Sequence, residues 1–279
     1  MSSTIIVGVT AAPAARRAVD WAVARAAERG QTVELVGVVG GAIGAVGEES
    51  VLNDAVDQTR SLLSEEAARV AERGVQVTTR VGRGNPVAWL IEASADADLL
   101  VIGSDYKGPG SGPARGAHGL RIAAAAKCPV VVVPDLDFEG RSGVLVGVDG
   151  SEISEAAVRF AAAEADRLRE PLLAVTVWTP LEAPRNLGWY PEEYLENMRL
   201  LAEESLALSL AGTRQDYPDL EIVTRVERGY PSLIINELAA SARLAVIGTH
   251  GRGALARFLL GSISQEVLAR LATVTAVVR

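Results

Sequence analysis

Short runs of apolar, β-branched residues alternate along the chain with longer segments whose apolar positions recur at helical spacing. The first run occupies residues 5–9, and a segment with helical spacing follows over 14–29 and stops at Gly30. An apolar run without polar alternation is typical of a strand buried on both faces. A glycine commonly ends a helix. The pattern therefore predicts buried parallel strands connected by helices.

The alternation continues through the first half of the chain. Glycine-rich segments at 40–50 and 103–116 are predicted to be loops. The predicted strands are 5–9, 33–39, 75–81, 99–102 and 130–133, and the predicted helices are 14–29, 51–72, 86–93 and 117–126. Strand and helix in strict alternation are the pattern of a doubly wound parallel sheet.

The second half repeats the first. Val146 lies 139 positions after Val7, and Val246 lies 145 positions after Val101. The offset of 145 is constant over the last third of each half, which indicates a tandem duplication. The extra length falls around 179–200, in a stretch rich in proline and aromatic residues.

We expect two α/β domains of ordinary size, each doubly wound. The predicted N-terminal domain covers 1–135 and the predicted C-terminal domain covers 143–279. The polar segment 134–143 has little periodicity and is predicted to be the linker.

Composition narrows the class of protein. Of the 279 residues 49% are hydrophobic and 22% are charged, which is typical of a packed globular chain and not of a disordered one. The formal net charge of −8 argues against nucleic acid and against an anionic membrane surface as partners. No apolar run is long enough to cross a bilayer, and the first residues do not resemble a signal peptide. With Cys128 as the only cysteine, we predict a cytoplasmic protein.

The strongest candidate for chemistry lies near the C-terminus. A predicted strand stops at Gly248, Gly251 follows after two residues, and Gly261 and Ser262 precede another predicted helix. Glycines allow the backbone to bend or to approach a ligand closely. Backbone N–H groups of such a loop, together with a helix N-terminus, can hold an anion. The segment is predicted to be a phosphate cradle.

Two further positions are predicted to face the same crevice. Ligands of open parallel sheets bind outside the carboxyl ends of the strands. Asp149 ends the first strand of the second half, and Val177 lies at the end of its second strand. A carboxylate suits ribose hydroxyls, and a strand-end backbone suits the edge of adenine. The alternative is that residues 149–151 only form a turn and cap the next helix.

The spacing glycine-x2-glycine-x9-glycine-serine over 248–262 resembles the ATP-binding motif of the universal stress protein family. Residues 146–151, the turn at 228–231 and the closing valine strand are also similar to that family, and the resemblance covers the whole chain as two copies. It implies a five-stranded parallel sheet per domain, Rossmann-like and of the adenine-nucleotide α-hydrolase-like group. It also implies ATP as the ligand, with or without Mg²⁺. The residues that it assigns to the nucleotide are Asp149, Val177, Gly248, Gly251, Gly261, Ser262 and the backbone of Ile263, with Arg252 as a cation of the loop.

The first half departs from this motif. Thr10 stands where Asp149 stands in the second half, Tyr106 replaces the second glycine, and Ala117 replaces the serine. A tyrosine ring takes space that a phosphate would need, and threonine removes the charged partner for ribose. We therefore expect a weak or empty first site, in a domain that serves mainly as a pairing partner for the second.

No other arrangement competes with this site. His250 has no acidic, histidine or cysteine neighbour at metal-ligand spacing, and it either contacts phosphate or faces solvent. The serines lack a His–Asp pair for nucleophilic catalysis. We expect no catalytic residue and no metal ligand of the protein.

Three functions fit these observations. The favoured one is an ATP-binding regulatory protein of the stress-response type, with slow or no hydrolysis and a competent C-terminal site. The alternatives are an adenine-nucleotide hydrolase or phosphotransferase of the same fold, and an interaction module without nucleotide. The apolar last strands, 130–133 and 275–278, are predicted to pair the two domains, because a sheet edge needs covering. Further association into a homodimer stays open, as does the role of 179–194 as a lid or a partner surface.

Overall fold

The structure is a computed structural model that describes residues 3–40, 48–106, 118–180, 190–251 and 260–279. The chain divides into two compact units, Met1–Leu136 and Asp137–Arg279. Each unit is a parallel five-stranded sheet with helices between successive strands. The predicted fold class, two tandem doubly wound α/β domains, is confirmed.

The N-terminal unit contains five strands and four helices among its described residues. Its strands are β1 (Thr4–Gly8), β2 (Thr32–Val39), β3 (Val77–Arg83), β4 (Leu99–Ser104) and β5 (Val130–Pro134), and its helices are α1 (Pro13–Arg29), α2 (Glu48–Val70), α3 (Pro86–Ala93) and α4 (His118–Ala125). The strand order is β3-β2-β1-β4-β5, and every pair within it is parallel. The order reverses direction at β1, where the second and fourth strands lie on opposite sides of the first.

The C-terminal unit repeats this topology. Its strands are β6 (Val144–Gly147), β7 (Leu172–Trp178), β8 (Ile222–Arg228), β9 (Leu244–Gly248) and β10 (Val274–Val278), and its helices are α5 (Glu152–Leu168), α6 (Glu192–Asp216), α7 (Pro231–Ala239) and α8 (Ser262–Ala269). The order is β8-β7-β6-β9-β10, again parallel throughout. The switch point of this sheet therefore lies at the carboxyl ends of β6, β7 and β9.

The inner strands are buried because helices cover both faces. All residues of β1 except its ends are buried, and the whole of β5 and β10 is buried. The outer strands β3 and β8 are half exposed. Strand β3 begins at Val77, two residues later than predicted, because Gly74 holds a left-handed turn (φ 70°) and pairing with β2 starts at Val33 opposite Val77.

The helix that follows the first strand has different end signals in the two units. Helix α1 has Pro13 in its first turn and ends at Gly30, whose φ of 63° is left-handed. Helix α5 is capped by Ser151, whose side chain accepts a hydrogen bond from the Ser154 N–H, and ends at Arg169 with φ 55°. A non-glycine residue rarely adopts this conformation. Capping is stronger at the start of α5, and termination is more favourable at the end of α1.

Candidate nucleotide site

The end of β6 lies between the ends of its two neighbours. Val146 pairs with Val246 of β9 on one side, and Gly147 pairs with Val175 of β7 on the other. Beyond the strand, the Val148 N–H donates to the Val175 carbonyl at 2.8 Å. The residues that follow β6 and β9 therefore emerge side by side at the switch point of the sheet, where Asp149 and the glycine loop were predicted to meet.

Asp149 forms the turn that leads into α5. Its Oδ1 accepts hydrogen bonds from the Ser151 N–H (3.0 Å) and from the Ser151 hydroxyl (2.7 Å), while Gly150 between them is left-handed with φ 75°. The alternative interpretation, in which residues 149–151 only form a turn and cap the next helix, therefore accounts for one oxygen of the Asp149 carboxylate. The other oxygen, Oδ2, lies beside Gly251 of the glycine loop.

Gly251 is required for space and not for backbone conformation. A Cβ atom on Gly251 would overlap Oδ2 of Asp149, whereas the φ angle of Gly251 lies outside the left-handed region. What the absent side chain provides is room for the Asp149 carboxylate beside the loop backbone. Asp149 and Gly251, 102 positions apart in the sequence, form one structural unit.

Gly248 is a requirement of the fold in both domains. A Cβ atom on Gly248 would lie 2.7 Å from Cγ2 of Ile153 in α5. Its counterpart Gly103 has the same relation to α1, with a Cβ position 2.6 Å from the carbonyl carbon of Ala14. The first glycine is kept in the degenerate half because the helix after the first strand packs directly onto it. The presence of Gly248 is therefore not evidence of a nucleotide site.

Gly261 closes the loop onto the start of α8. Its N–H donates to the Thr249 carbonyl at 2.8 Å, and a Cβ atom on it would lie 3.3 Å from Cα of His250. Gly261 is the N-cap residue of α8 and provides no side-chain cap, so the N–H groups of Ser262 and Ile263 begin the helix without one. Ser264 donates its hydroxyl to the Gly248 carbonyl at 2.7 Å, which ties the helix to β9. A helix start of this kind attracts an anion.

Two side chains inside the loop have buried polar atoms that lack a hydrogen-bond partner among the described residues. They are Oγ1 of Thr249 and Nδ1 of His250. Thr249 is only 1% exposed. Buried polar atoms are nearly always paired in folded proteins, so such atoms beside a helix N-terminus are compatible with a polar ligand.

Val177 lies near the end of β7, the strand beside β6. Alternate residues of a strand direct their N–H and C=O groups to the same side. The Val175 carbonyl accepts the Val148 N–H, so Val177, two residues later, also directs its backbone polar groups toward the side of β6. There it is level with Asp149. The Thr176 hydroxyl donates a hydrogen bond to the Val148 carbonyl at 3.0 Å, which holds the two strand ends together. The backbone of Val177 can therefore face a planar, hydrogen-bonding ligand.

The insertion after β7 has described residues only at its ends. The rings of Tyr190 and Tyr194 stack with centroids 5.8 Å apart. The Arg228 guanidinium carbon lies 5.9 Å from the Tyr190 ring centroid and 6.0 Å from that of Trp178. These distances place an aromatic and cationic cluster at the carboxyl ends of β7 and β8. Arg252, the predicted loop cation, lies outside the described residues.

The counterpart of the site in the N-terminal domain is filled differently. Thr10 accepts a hydrogen bond from the Ala12 N–H at 3.3 Å through its hydroxyl. Tyr106 is 6% exposed, and its carbonyl accepts from the Asp135 N–H at 3.2 Å. The tyrosine that replaces Gly251 is thus packed into the protein. Ala117, the replacement for Ser262, lies outside the described residues.

Sequence reasoning missed a carboxylate that links α8 to α7. Glu266 accepts hydrogen bonds from the Tyr230 hydroxyl (3.0 Å) and from the Ser232 hydroxyl (2.5 Å). The bond to the carboxylate, and its negative charge, raise the pKa of Tyr230 above its ordinary value. In the other domain Asn85 caps the equivalent helix with its own side chain. The sequence signal for this link is that Tyr230 stands at the start of α7, where the equivalent helix α3 has the capping residue Asn85.

In the part of the chain that the structure describes, no three His, Cys, Asp or Glu side chains are grouped so that they could hold a metal ion. Over the same residues, no helix is both long and apolar enough to cross a membrane.

Doubly wound parallel sheets form a class of folds whose ligands bind outside the carboxyl ends of the strands, at the switch point. The model of the universal stress protein family matches this chain twice, over residues 1–134 and 141–279. A universal stress protein of Mycolicibacterium smegmatis is 32% identical over 287 residues, covering 99% of this chain and 96% of that protein. One from Mycobacterium tuberculosis is also 32% identical, covering 95% and 91%. The chain belongs to the universal stress protein family.

Solved structures agree on the fold. A universal stress protein from Archaeoglobus fulgidus has a TM-score of 0.71 at 16% identity, covering 99% of this chain and 96% of its own. A putative universal stress protein from Pseudomonas aeruginosa has a TM-score of 0.64, with coverage of 99% and 92%. Two smaller members are described with cAMP and, from Arabidopsis thaliana, with AMP bound, at TM-scores of 0.36 and 0.35. At that level of similarity the bound nucleotides are properties of those proteins alone.

Proposed function

We propose that this protein binds ATP in its C-terminal domain and acts as a nucleotide-responsive regulator of the stress-response type. The observation that carries the proposal is the pairing of Asp149 with Gly251, in which a glycine makes room for a carboxylate at the switch point. That pair lies beside an uncapped helix start. A fold requirement does not explain it, because the N-terminal domain folds with threonine and tyrosine at the same positions.

The residues present fit an adenine nucleotide. Asp149 would hold the ribose hydroxyls, and the backbone of Val177 would face the edge of the base. The N–H groups of Ser262 and Ile263 would hold the phosphates, because they start a helix without a side-chain cap. The buried hydroxyl of Thr249 offers a further polar atom in the loop. Arg252 completes the set that the family motif assigns, and Mg²⁺ would be bound mainly through the phosphates.

We propose in addition that the site of residues 143–279 is the competent one and that the site of residues 1–135 is weak or empty. Tyr106 supports this, because its buried side chain stands at the position of Gly251. The Thr10 hydroxyl accepts a hydrogen bond from the Ala12 N–H within its own turn, and threonine has no charged group that could bind ribose hydroxyls.

The last element of the proposal is pairing of the two domains through β5 and β10. Each strand is the outermost of its domain's five-strand order beside β4 or β9, and all of its residues are buried. An edge strand that is fully buried needs a covering element. Each domain offers the same kind of edge to the other, and a homodimer is a further association that the family resemblance permits.

The proposal is tested by mass spectrometry of nucleotide released from the purified protein, followed by calorimetric titration with ATP. We expect about one ATP per chain, and loss of binding in Asp149→Ala and Gly251→Val. Thr10→Ala changes the equivalent residue of the other domain and is the matched control, for which the stoichiometry should not change.

Absence of released nucleotide together with no binding at millimolar ATP would refute the proposal. Rapid multiple turnover in the presence of a phosphate acceptor would favour the phosphotransferase alternative instead. Two ATP per chain, reduced to one by Thr10→Ala, would contradict only the assignment of the N-terminal site.

A further inference from the structure

We infer that Trp178, Tyr190 and the guanidinium of Arg228 form an aromatic wall, against which the base of the bound nucleotide stacks. The inference rests on the proposed function, since it assigns the base-binding side of the same site. Such a wall selects ligands with a large planar base, and stacking on it would supplement the hydrogen bonds of the Val177 backbone. Sequence reasoning left the insertion at 179–194 open as a lid or a partner surface.

The position of Trp178 is the first support. Trp178 is the last residue of β7 and follows Val177 directly. Side chains two residues apart in a strand lie on the same face of the sheet, so Trp178 shares its face with Thr176. The Thr176 hydroxyl donates to the carbonyl of Val148, the residue before Asp149. The indole therefore lies at the carboxyl edge of the sheet, on the face of β7 that is tied to the start of the proposed site.

A cluster of planar groups is the second support. The Arg228 guanidinium carbon lies 6.0 Å from the ring centroid of Trp178 and 5.9 Å from that of Tyr190. Tyr190 stacks on Tyr194 with an interplanar angle of 18°. The indole and both phenol rings are only partly buried, and Arg228 is exposed. Aromatic faces beside an arginine at the mouth of a crevice are surfaces on which nucleobases stack.

Backbone and side-chain hydrogen bonds hold the aromatic wall in place. The Gly229 N–H donates to the Trp178 carbonyl at 3.0 Å, and the Thr179 hydroxyl donates to the Gly229 carbonyl at 2.7 Å. These bonds tie the end of β7 to the turn after β8. Trp178 and Arg228, which are opposite each other in the strand register, therefore keep their spacing. A wall that is fixed before the ligand arrives loses little conformational entropy on binding.

The duplicated domain has the arginine without the indole. Arg83 ends β3 as Arg228 ends β8, and its partner in register at the end of β2 is Val39. Val39 is buried, so an aliphatic side chain fills this corner of the fold. The fold therefore does not require an aromatic residue there. Trp178 takes that place in the domain that is proposed to bind nucleotide, which favours a role in binding over a role in folding.

Fluorine NMR on the intact protein gives a direct test. The chain has four tryptophans, and with fluorotryptophan the resonances of Trp178 and Trp89 are assigned by Trp178→Phe and Trp89→Phe. We expect the Trp178 resonance to shift with ATP and with adenosine, which carry the base, and not with inorganic triphosphate. Trp89 is the matched control, because its ring lies 4.6 Å from the Arg80 guanidinium carbon in the other domain, and it should not respond. A Trp178 resonance that stays unmoved in protein saturated with ATP would overturn the inference.

Substitutions separate stacking from packing. Trp178→Val introduces the residue of the other domain, whereas Trp178→Tyr keeps an aromatic face. We expect ATP affinity to fall at least about fivefold for Val and to stay within a few-fold for Tyr. Affinity for inorganic triphosphate should equal that of the wild type in both. Wild-type ATP affinity in Trp178→Val, or an equal loss for inorganic triphosphate, would contradict the inference.

The size of the base provides a second readout. UTP has a smaller base than ATP, and we expect it to bind the wild type more weakly. The ratio of the two affinities should decrease in Trp178→Val, because the stacking surface that distinguishes the bases is lost. A ratio that is the same in wild type and Trp178→Val would contradict base stacking on the indole.

Failure of this inference can be told from failure of the proposed function. Protein that binds ATP with an unmoved Trp178 resonance refutes the aromatic wall alone. Protein that binds no ATP but shifts the Trp178 resonance with adenosine refutes the ATP site and retains the wall as a base-binding surface. Protein that responds to neither ATP nor adenosine refutes both.

Discussion

At the residue scale, glycines of one motif serve different purposes, and their substitution should have different effects. Gly251→Ala would push against Oδ2 of Asp149, the end of a side chain that can rotate away. We expect ATP affinity to fall at least about tenfold with little change in the melting temperature. Calorimetric titration and differential scanning fluorimetry measure the two quantities.

Gly103→Ala is the comparison for that substitution. Its Cβ atom would lie within 2.7 Å of backbone atoms of Ala14 and Ala15, which cannot move without displacing α1. We expect a loss of roughly 1–3 kcal/mol of folding free energy and no change of ATP affinity in the protein that remains folded. A large stability loss in Gly251→Ala, or none in Gly103→Ala, would contradict this division.

Tyr230 gives a prediction about pH. The hydrogen bond to Glu266, whose carboxylate is also negative, raises the pKa of the tyrosine, so the folded state favours the neutral phenol. The stabilisation is therefore complete below the ordinary tyrosine pKa of about 10 and is lost as pH rises through the higher folded-state value. Tyr230→Phe should remove this alkaline dependence.

Chemical denaturation of both proteins between about pH 8 and 11 checks this prediction. The difference in unfolding free energy between wild type and Tyr230→Phe should shrink as pH rises. A difference that is constant over the range would mean that the Tyr230–Glu266 bond is not linked to ionisation of the phenol.

At the element scale, the ends of α1 and α5 invite an exchange between the domains. Arg169 is left-handed with φ 55°, at the position where Gly30 of the other domain has φ 63°. Both residues are exposed, and a Cβ atom on Gly30 would meet nothing within 4 Å. Arg169→Gly should therefore stabilise the protein by up to about 1 kcal/mol, because the conformation is unfavourable for a side chain. Gly30→Arg should destabilise it by a similar amount.

Urea denaturation of the two variants and of the double exchange measures these effects. Because the positions belong to different helices, the effects should add and nearly cancel in the double variant. Destabilisation by Arg169→Gly would show that contacts of the arginine side chain outweigh the conformational cost.

The elements themselves could be read from the sequence because buried parallel strands are short apolar runs and the chain repeats itself. The outer strand β3 was misplaced by two residues, since an edge strand has one neighbour and its start is set by that pairing. Glycine spacing led to the candidate site, but that spacing did not show that Gly251 makes room for a carboxylate. That role depends on Asp149, which is distant in sequence, and the same is true of the Glu266 link to α7. Contacts between distant segments leave no local pattern.

At the scale of the whole molecule, the proposed pairing of β5 with β10 makes a residue-specific prediction for amide hydrogen exchange. Leu100 of β4 donates to the Pro129 carbonyl, so alternate residues of β5 direct their amides away from β4. These are Val130 and Val132. By the same alternation, Thr249 donates to Val278 of β10, and the amides of Thr275 and Val277 point away from β9.

Pairing through β5 and β10 would give these four outward amides hydrogen-bond partners, and they should then exchange as slowly as amides inside the sheet. The matched control is the opposite edge of the C-terminal sheet. Leu172 of β7 donates to the Glu221 carbonyl, so the amides of Thr224 and Val226 in β8 point outward, and β8 is half exposed. We expect the control pair to exchange orders of magnitude faster when measured by NMR on the intact chain. Equal, fast exchange at both edges would refute pairing through the last strands, whereas protection of β5 and β10 would mean that each domain uses the other to cover its apolar edge.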